Sequence, residues 1–364
     1  MIKRLVFAAA LFLALFLALF PSYAGQTDRA LVFNSEKRIP VTSVKKQGRS
    51  STCWCFSGVS FVEAEIIRTN RIKDESRYPS ISEAFIISKS LHDRAEKYIR
   101  LDGNLRAAPG SEGADVVEVI RKYGIIPREI YPCPDFSLET NLFRELTSSV
   151  RSYLKGLVER RDKELSKEWI NAFDGLVEGY LGPCPKDYDA VSCRDSWGFD
   201  ASEYINITSM SNVPYHEMCI VEVMDNWRWT PSLNLPLDEM IEVIDRAVDK
   251  GYTVHIAADI TQKGYPGNGI ATLVSEDADY DVALPEEEIK TTPEERQDRY
   301  DRKITTDDHA MHLVGRARDQ YGRKFYVVKD SHGEYGPFKG YVYMSEEYLR
   351  MNVLTIMVHK SILD

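Results

Sequence analysis

The chain has 364 residues, 28% of them charged and 43% hydrophobic, with a formal net charge of −10. The acidic balance, with no clustered Lys/Arg footprint, excludes a nucleic-acid partner. The ordinary composition, without low-complexity tracts or internal repeats, excludes disordered and solenoid classes and leaves room for two domains or one two-lobed enzyme.

The first 24 residues read as a leader. Lys3-Arg4 precedes an unbroken apolar run from Leu5 to Phe20, and Ser22 and Ala24 supply the small residues of a cleavage site. That run falls short of the ~20 apolar residues of a membrane anchor. The expectation is export, periplasmic or secreted, with the mature chain starting near Gly25 and keeping no stable membrane span. Without Lys3 and Arg4 it has 44 basic and 56 acidic side chains.

Residues 47–57, Gln-Gly-Arg-Ser-Ser-Thr-Cys-Trp-Cys-Phe-Ser, run from a polar loop into a helical pattern carried by Trp54, Phe56, Val59, Phe61, Val62, Ile66 and Ile67. With Thr52 as N-cap, Cys53 falls in the first helical turn. The positive end of the helix dipole there favours thiolate, the nucleophilic form. Cys53-x-Cys55 is too close for an ordinary zinc pair and has no histidine nearby.

Gln47, five intervening residues and Cys53-Trp54-x-Phe56-Ser57 resemble the nucleophile segment of papain-like cysteine peptidases. The longer resemblance is to the bleomycin hydrolase and aminopeptidase C branch, and it covers most of the mature chain. It implies an α+β, two-lobed fold, with a helical left lobe (about 53–210), an antiparallel β-barrel-like right lobe (about 211–364 plus 25–52) and a cleft between them. It also implies Cys53 as nucleophile, Gln47 as oxyanion-hole residue, and residues 40–45 as the family's opening strand. Ser50 stands where plant relatives carry a disulfide cysteine. Of the six cysteines, Cys55 is expected buried and free, and Cys184–Cys193 is the favoured disulfide.

A helix is expected over 53–70. Ser80-Ile81-Ser82-Glu83 reads as a helix start with a capping box. A loop over 109–113 precedes a helix over 115–123 that stops at Gly124. Residues 125–132 resemble the branch's Tyr-Gly-Ile-x-Pro-x-x-x-Tyr-Pro run, which places the loop from Gly110 to Gly113 along the substrate cleft; Trp54 and His332 are also expected to bind substrate. Residues 137–180 read as two helices, an insertion of this branch, expected to be a solvated hairpin. Trp227 and Trp229 are expected in the core. Past Ser211 the pattern turns to strands, 219–224 and 253–260 among them, with a helix over 237–250. Residues 264–306 form a long polar stretch, the kind that is often functional.

His309 opens one strand and residues 324–329 form the next, joined by the turn 319–322. Pairing Arg318 with Arg323 sets Met311 opposite Asp330 and His309 opposite His332, all on one face. A one-residue slip breaks this. The resemblance assigns His309 as the catalytic histidine and matches Lys329-Asp330-Ser331-His332-Gly333 to the family's Lys-Asn-Ser-Trp-Gly. Asp330 thus replaces the orienting asparagine and His332 the shielding tryptophan. A carboxylate still accepts the imidazole's hydrogen bond and favours the imidazolium. Loss of the indole is expected to expose that bond to water. His255 and His312 are expected to be structural.

The expected function is peptide-bond hydrolysis by Cys53, His309 and Asp330 with Gln47, on peptide substrates, without metal or organic cofactor. The rival is a degenerate member that binds peptides without cleaving them. The branch resemblance implies a hexameric aminopeptidase, so a homo-oligomer stays open. In that branch a C-terminal arm enters the cleft and restricts cleavage to amino termini. Here only His359 to Asp364 follow the last expected strand, at most about 20 Å when extended. Weakened aminopeptidase character with some internal cleavage is therefore expected, unless that tail or an acid of 264–306 holds the substrate amine.

Overall fold

The computed structural model describes residues 31–138, 141–162, 164–265, 267–275 and 288–364. The expected leader lies outside them. Among the described residues no helix is long and apolar enough to cross a membrane.

In chain order, β1 (Phe33–Arg38) is followed by α1 (Cys53–Thr69), α2 (Glu83–Arg100), α3 (Gly113–Tyr123), α4 (Leu142–Val158), α5 (Trp169–Leu181) and α6 (Ala190–Ser196). Then come β2 (Tyr204–Thr208), β3 (Met218–Ile220), β4 (Pro231–Asn234), α7 (Leu237–Lys250), β5 (Val254–Ala258) and β6 (Ile270–Ala271). The chain closes with α8 (Pro293–Asp301), β7 (His309–Asp319), β8 (Lys324–Lys329), β9 (Tyr341–Ser345), α9 (Glu346–Asn352) and β10 (Val353–His359). This is the α+β architecture expected, helices mostly in the first half and strands mostly in the second, but the sheet is open and mixed and not an antiparallel barrel.

Helix α1 is buried on every side from Trp54 to Ile67, as befits a helix between two layers. One layer is a helical core containing Phe61, Ile86, Val116 and Ile120; the other is a separate sheet core containing Ile244, Ile256, Met311, Tyr326 and Ile356. Burial on all sides also encloses Glu63. It accepts from Thr42 Oγ1 at 2.6 Å, Lys45 Nζ at 2.8 Å and the Ile81 N–H at 2.9 Å, so the charge is paired rather than stranded. These bonds pin residues 42–45 against α1, just upstream of Gln47.

Helix α2 is capped by Ser82, whose Oγ accepts from the Phe85 N–H. There is no acid at the third position to complete the expected capping box. Glu83 turns instead to Lys45, 2.8 Å away, and Arg128, 3.0 Å away. The expected hairpin of 137–180 is α4 and α5, but it is docked rather than merely solvated. Phe143, Leu146, Val150 and Leu154, at helical spacing, join Phe173 and Val177 in the helical core.

The sheet runs β3-β4-β2-β10-β5-β7-β8-β9-β6, with β1 added on β7. It is an open path, antiparallel except where β2 meets β4 and β6 meets β9. The opening strand is β1, at 33–38 rather than 40–45, paired with the far half of β7. Strand β2 lies before the expected boundary at 211, and strand structure in 219–224 stops at Ile220. The polar stretch 264–306 holds α8, whose Arg296 is buried and bonded to the carbonyls of Ser209 and Arg350. Residues 276–287 of that stretch lie outside the described residues.

Candidate active site

The loop before α1 is built to deliver Cys53. Gly48 sits at φ +61°, and a Cβ there would fall 2.4 Å from the Phe136 backbone, so only glycine fits the turn. Ser50 Oγ donates to the Gln47 carbonyl at 2.7 Å and also meets the Thr52 hydroxyl. Thr52 holds the N-cap position, but its side chain is spent on Ser50 rather than on a helix N–H. Cys53 is the first residue of α1 and is half-buried. Cys55, two residues further along, is fully buried, and burial pushes its thiol well above the ordinary range. All six cysteines are free, so the Cys184–Cys193 disulfide is not formed.

Strand β7 brings His309 to the site, and Asp330 follows directly on the end of β8. At the turn the strands pair Arg318 with Lys324, one residue off the expected Arg318–Arg323. An irregularity between Leu313 and Gly315 absorbs the difference, so His312 faces Lys329, which is the register expected at the site end. His309 Nε2 and Asp330 Oδ1 lie 2.7 Å apart, both buried. His332 Nδ1 meets Asp330 Oδ2 at 2.8 Å, and its ring stacks on His309 at 4.8 Å between centroids. Tyr335 donates its hydroxyl to Asp330 Oδ2 at 2.7 Å, and the Ser331 N–H donates to Oδ1. The expectation that losing the indole exposes the bond is therefore overturned: the His332 ring and Tyr335 cover it.

The electrostatics follow from this packing. Burial opposes a charge on His309, but the hydrogen bonds and negative charges of Asp330 and Cys53 outweigh it and hold the imidazole up at about 10. Burial likewise opposes charge on Asp330, yet His309 and His332 keep its carboxyl far below the usual carboxylate range. His309, Asp330 and His332 also form a group whose ligand atoms lie within 4.8 Å of one another, compact enough for a metal ion. Those atoms face each other in hydrogen bonds, which accounts for their closeness.

Gln47 is joined to the same strand end. Its N–H donates to the Ser331 carbonyl at 2.8 Å, and its side-chain Oε1 accepts from Ser331 Oγ at 2.6 Å. Trp54 is only 1% exposed, and its Nε1 donates to the Pro109 carbonyl at 2.9 Å, so it bears on the cleft through the 109–113 loop. Gly113 lies against His255, where a Cβ would come within 2.2 Å of the ring. Gly110 faces the Asp225 carboxylate, and its carbonyl accepts from Arg94. Trp227 is core, with Nε1 donating to Ser111 Oγ at 2.6 Å, whereas Trp229 is 55% exposed, with Lys97 Nζ 3.5 Å from its ring centre.

Sequence reasoning passed over Ser331 and Tyr335, which orient Gln47 and Asp330, and over Glu112 and Asp307, two carboxyls that meet near Cys53. Asp307 could have been noticed as the acid two residues before His309. The pairing with Glu112, 195 positions away, has no signal in the sequence.

The Peptidase C1-like family model matches residues 191–364, a stretch that contains His309 and Asp330. Aminopeptidase C of Lactobacillus delbrueckii subsp. lactis is 24% identical over 376 residues, covering 89% of this chain and 81% of the relative. Aminopeptidase C of Lactococcus lactis subsp. lactis is 24% identical over 367 residues, with the same coverage of 89% and 81%. Among solved structures, PepW from Lactobacillus rhamnosis HN001 superposes with a TM-score of 0.69 at 20% identity, over 91% of this chain and 83% of that one.

Proposed function

We propose that this chain is a papain-like cysteine peptidase, an exported aminopeptidase C-like enzyme working through Cys53, His309 and Asp330; the Peptidase C1-like match and the aminopeptidase C relatives support the reading. The observation that carries the assignment is the His309 ring, buried and shared between the Asp330 carboxylate at 2.7 Å and the Cys53 sulfur. With Nε2 committed to Asp330, Nδ1 is the nitrogen that serves Cys53.

The Cys53 thiolate attacks the scissile carbonyl while His309 carries the proton as imidazolium. The oxyanion that forms is met by the Cys53 backbone N–H, which has no partner within the helix at this first position, and by the Gln47 side-chain amide. Ser331 occupies the oxygen end of that amide, which leaves its N–H end as the donor. His309 then protonates the leaving amine and activates water against the acyl-enzyme, with Asp330 orienting the ring throughout. The relatives' name, aminopeptidase C, supports release of amino-terminal residues as the reaction. Lys3-Arg4, the apolar run and Ser22/Ala24 support export.

The test is alkylation and turnover side by side. Iodoacetamide is expected to label Cys53 and to abolish hydrolysis of short peptides in proportion. Cys53→Ala should lose both, while Cys55→Ala keeps both. Wild-type rates in the Cys53 variant would refute the assignment. The amino-terminal residue of the exported protein, expected near Gly25, checks the leader.

A further inference from the structure

Residues 359–361 lie at the end of the sheet away from the site. Strand β10 begins level with the site, where Val353 pairs with Ala258 and Ala258 pairs with His309. It then runs away from the site to His359 opposite Tyr204, a seven-residue strand of about 20 Å. Ser361 and Lys360 fasten the tail there, to Tyr252 and the Ser202 carbonyl. An enzyme that selects amino termini still needs negative charge within a few ångströms of its nucleophile, because the α-ammonium is one bond from the carbon that bears the scissile carbonyl.

Such charge exists beside Cys53. Asp307 lies two residues before His309, and Glu112 lies just before α3, on the loop held by Trp54 and Trp227. Glu112 reaches Thr355, which pairs with Ala257 and through it with Ala310 beside His309, and Asp225 lies against Gly110 of the same loop. So placed, the carboxyls of Glu112 and Asp307 share a hydrogen bond, and both are pushed up, by burial first. Glu112 is only 7% exposed; Thr355 Oγ1 reaches its Oε2 at 3.4 Å, and its Oε1 is buried with no hydrogen-bond donor. A buried carboxylate oxygen without a donor is costly unless something cationic arrives. The strongest influences on Asp307 all push its carboxyl up, burial first, then Glu112, Asp225 and Cys53. Arg94, a buried cation on this side, donates from Nη1 to the Ala108 and Gly110 carbonyls and acts on Asp225 and Asp115, while its Nε and Nη2 have no hydrogen-bond partner.

We propose that Glu112 and Asp307, with Asp225 beside them, hold the free α-ammonium of the substrate, so that this chain selects amino termini through side-chain acids. The inference rests on the peptidase reading above and adds the group that fixes which bond is cut. An ammonium between the two acids favours their ionised forms, so that charge-assisted hydrogen bonds replace the contact between the two carboxyls. It also supplies the donor that Glu112 Oε1 lacks.

The experiment compares leucyl-aminomethylcoumarin, its N-acetyl derivative and N-acetyl-arginyl-leucyl-aminomethylcoumarin, with wild type and the Glu112→Gln/Asp307→Asn double variant. The readout is the ratio of kcat/KM between substrates, which cancels any loss of folded enzyme. Wild type is expected to prefer the free amine. The double variant should lower the free-to-acetylated ratio at least about 10-fold, mainly through KM. If the double variant does not fold, Asp225→Asn, at a half-buried position, should lower the same ratio. An unchanged ratio overturns the proposal. So does a wild type that prefers the acetyl-arginyl substrate, since the acids would then hold a basic side chain. A wild type that neither cleaves any substrate nor reacts with iodoacetamide at Cys53 refutes the peptidase reading itself, a different result.

Discussion

Strands β5 and β7 carry histidines on two faces, and the two faces do opposite things to the same side chain. Toward the cleft, His309 has a carboxylate at 2.7 Å and a thiol as neighbours, and its imidazole is held up at about 10. Toward α1, His255 and His312 are equally buried but meet only hydroxyls, Ser57 Oγ at 2.9 Å and Ser60 Oγ at 2.8 Å. Burial alone acts on His255 and drives it down to about 3. For His312, burial, then the nearby Lys329 and His255, drive it well below the ordinary value. Burial is common to all three. What separates a proton carrier from a neutral strut is whether an anion shares the burial.

The largest effect should come from removing the charged member. His309→Ala is expected to lower kcat/KM at least about 10³-fold, as loss of a general acid–base group does. His312→Gln should act through stability alone, with the specific activity of the folded fraction retained. Titrating active sites with an irreversible thiol reagent before each assay separates the two. Equal losses per active site would erase the distinction between the faces.

Next is the anion itself. Asp330→Asn keeps an acceptor for His309 Nε2 but removes the charge, so the imidazolium loses its partner. A neighbouring carboxylate is worth about 1–3 pKa units. The alkaline limb of kcat/KM, set by loss of the His309 proton, should move down by about that amount. The profile over pH 6–11 decides it, and an unmoved or raised limb would mean the carboxylate is not what holds the proton.

The smallest effect concerns the neutral face. An unfolded imidazole takes up a proton below about pH 6.5, whereas folded His255 resists down to about 3. Its contribution to stability is therefore complete above the unfolded value and is lost as pH falls toward the folded one. His255→Gln is expected to cost about 1–3 kcal/mol at pH 7, by disturbing the Ser57 hydrogen bond. It should also lose less of its remaining stability between pH 7 and pH 4 than wild type does. Urea unfolding at the two pH values measures both, and parallel losses would show that His255 is not held neutral.

Much of this was legible in the chain. Helical spacing from Trp54 to Ile67 gave α1, and the run 237–250 gave α7 to the residue, because a 3.6-residue apolar period needs no distant partner to be recognised. Residues 137–180 gave two helices but not their docking, since an amphipathic stripe does not say what covers it. The site end of the β7–β8 register was reached from a turn pairing one residue off, and an irregularity between Leu313 and Gly315 restored it.

By itself, then, the sequence determined the long helices and where a thiol meets a helix start, which depend on neighbours a few positions apart. Several strands, β1 and β2 among them, lay outside the expected segments. Only the tertiary structure decided how Asp330 is covered, by a stacked His332 and the Tyr335 hydroxyl, and that Glu112 meets Asp307. Hydrogen bonds and charges act over a few ångströms of space, and segments far apart in sequence reach that range only after the sheet and helices have packed.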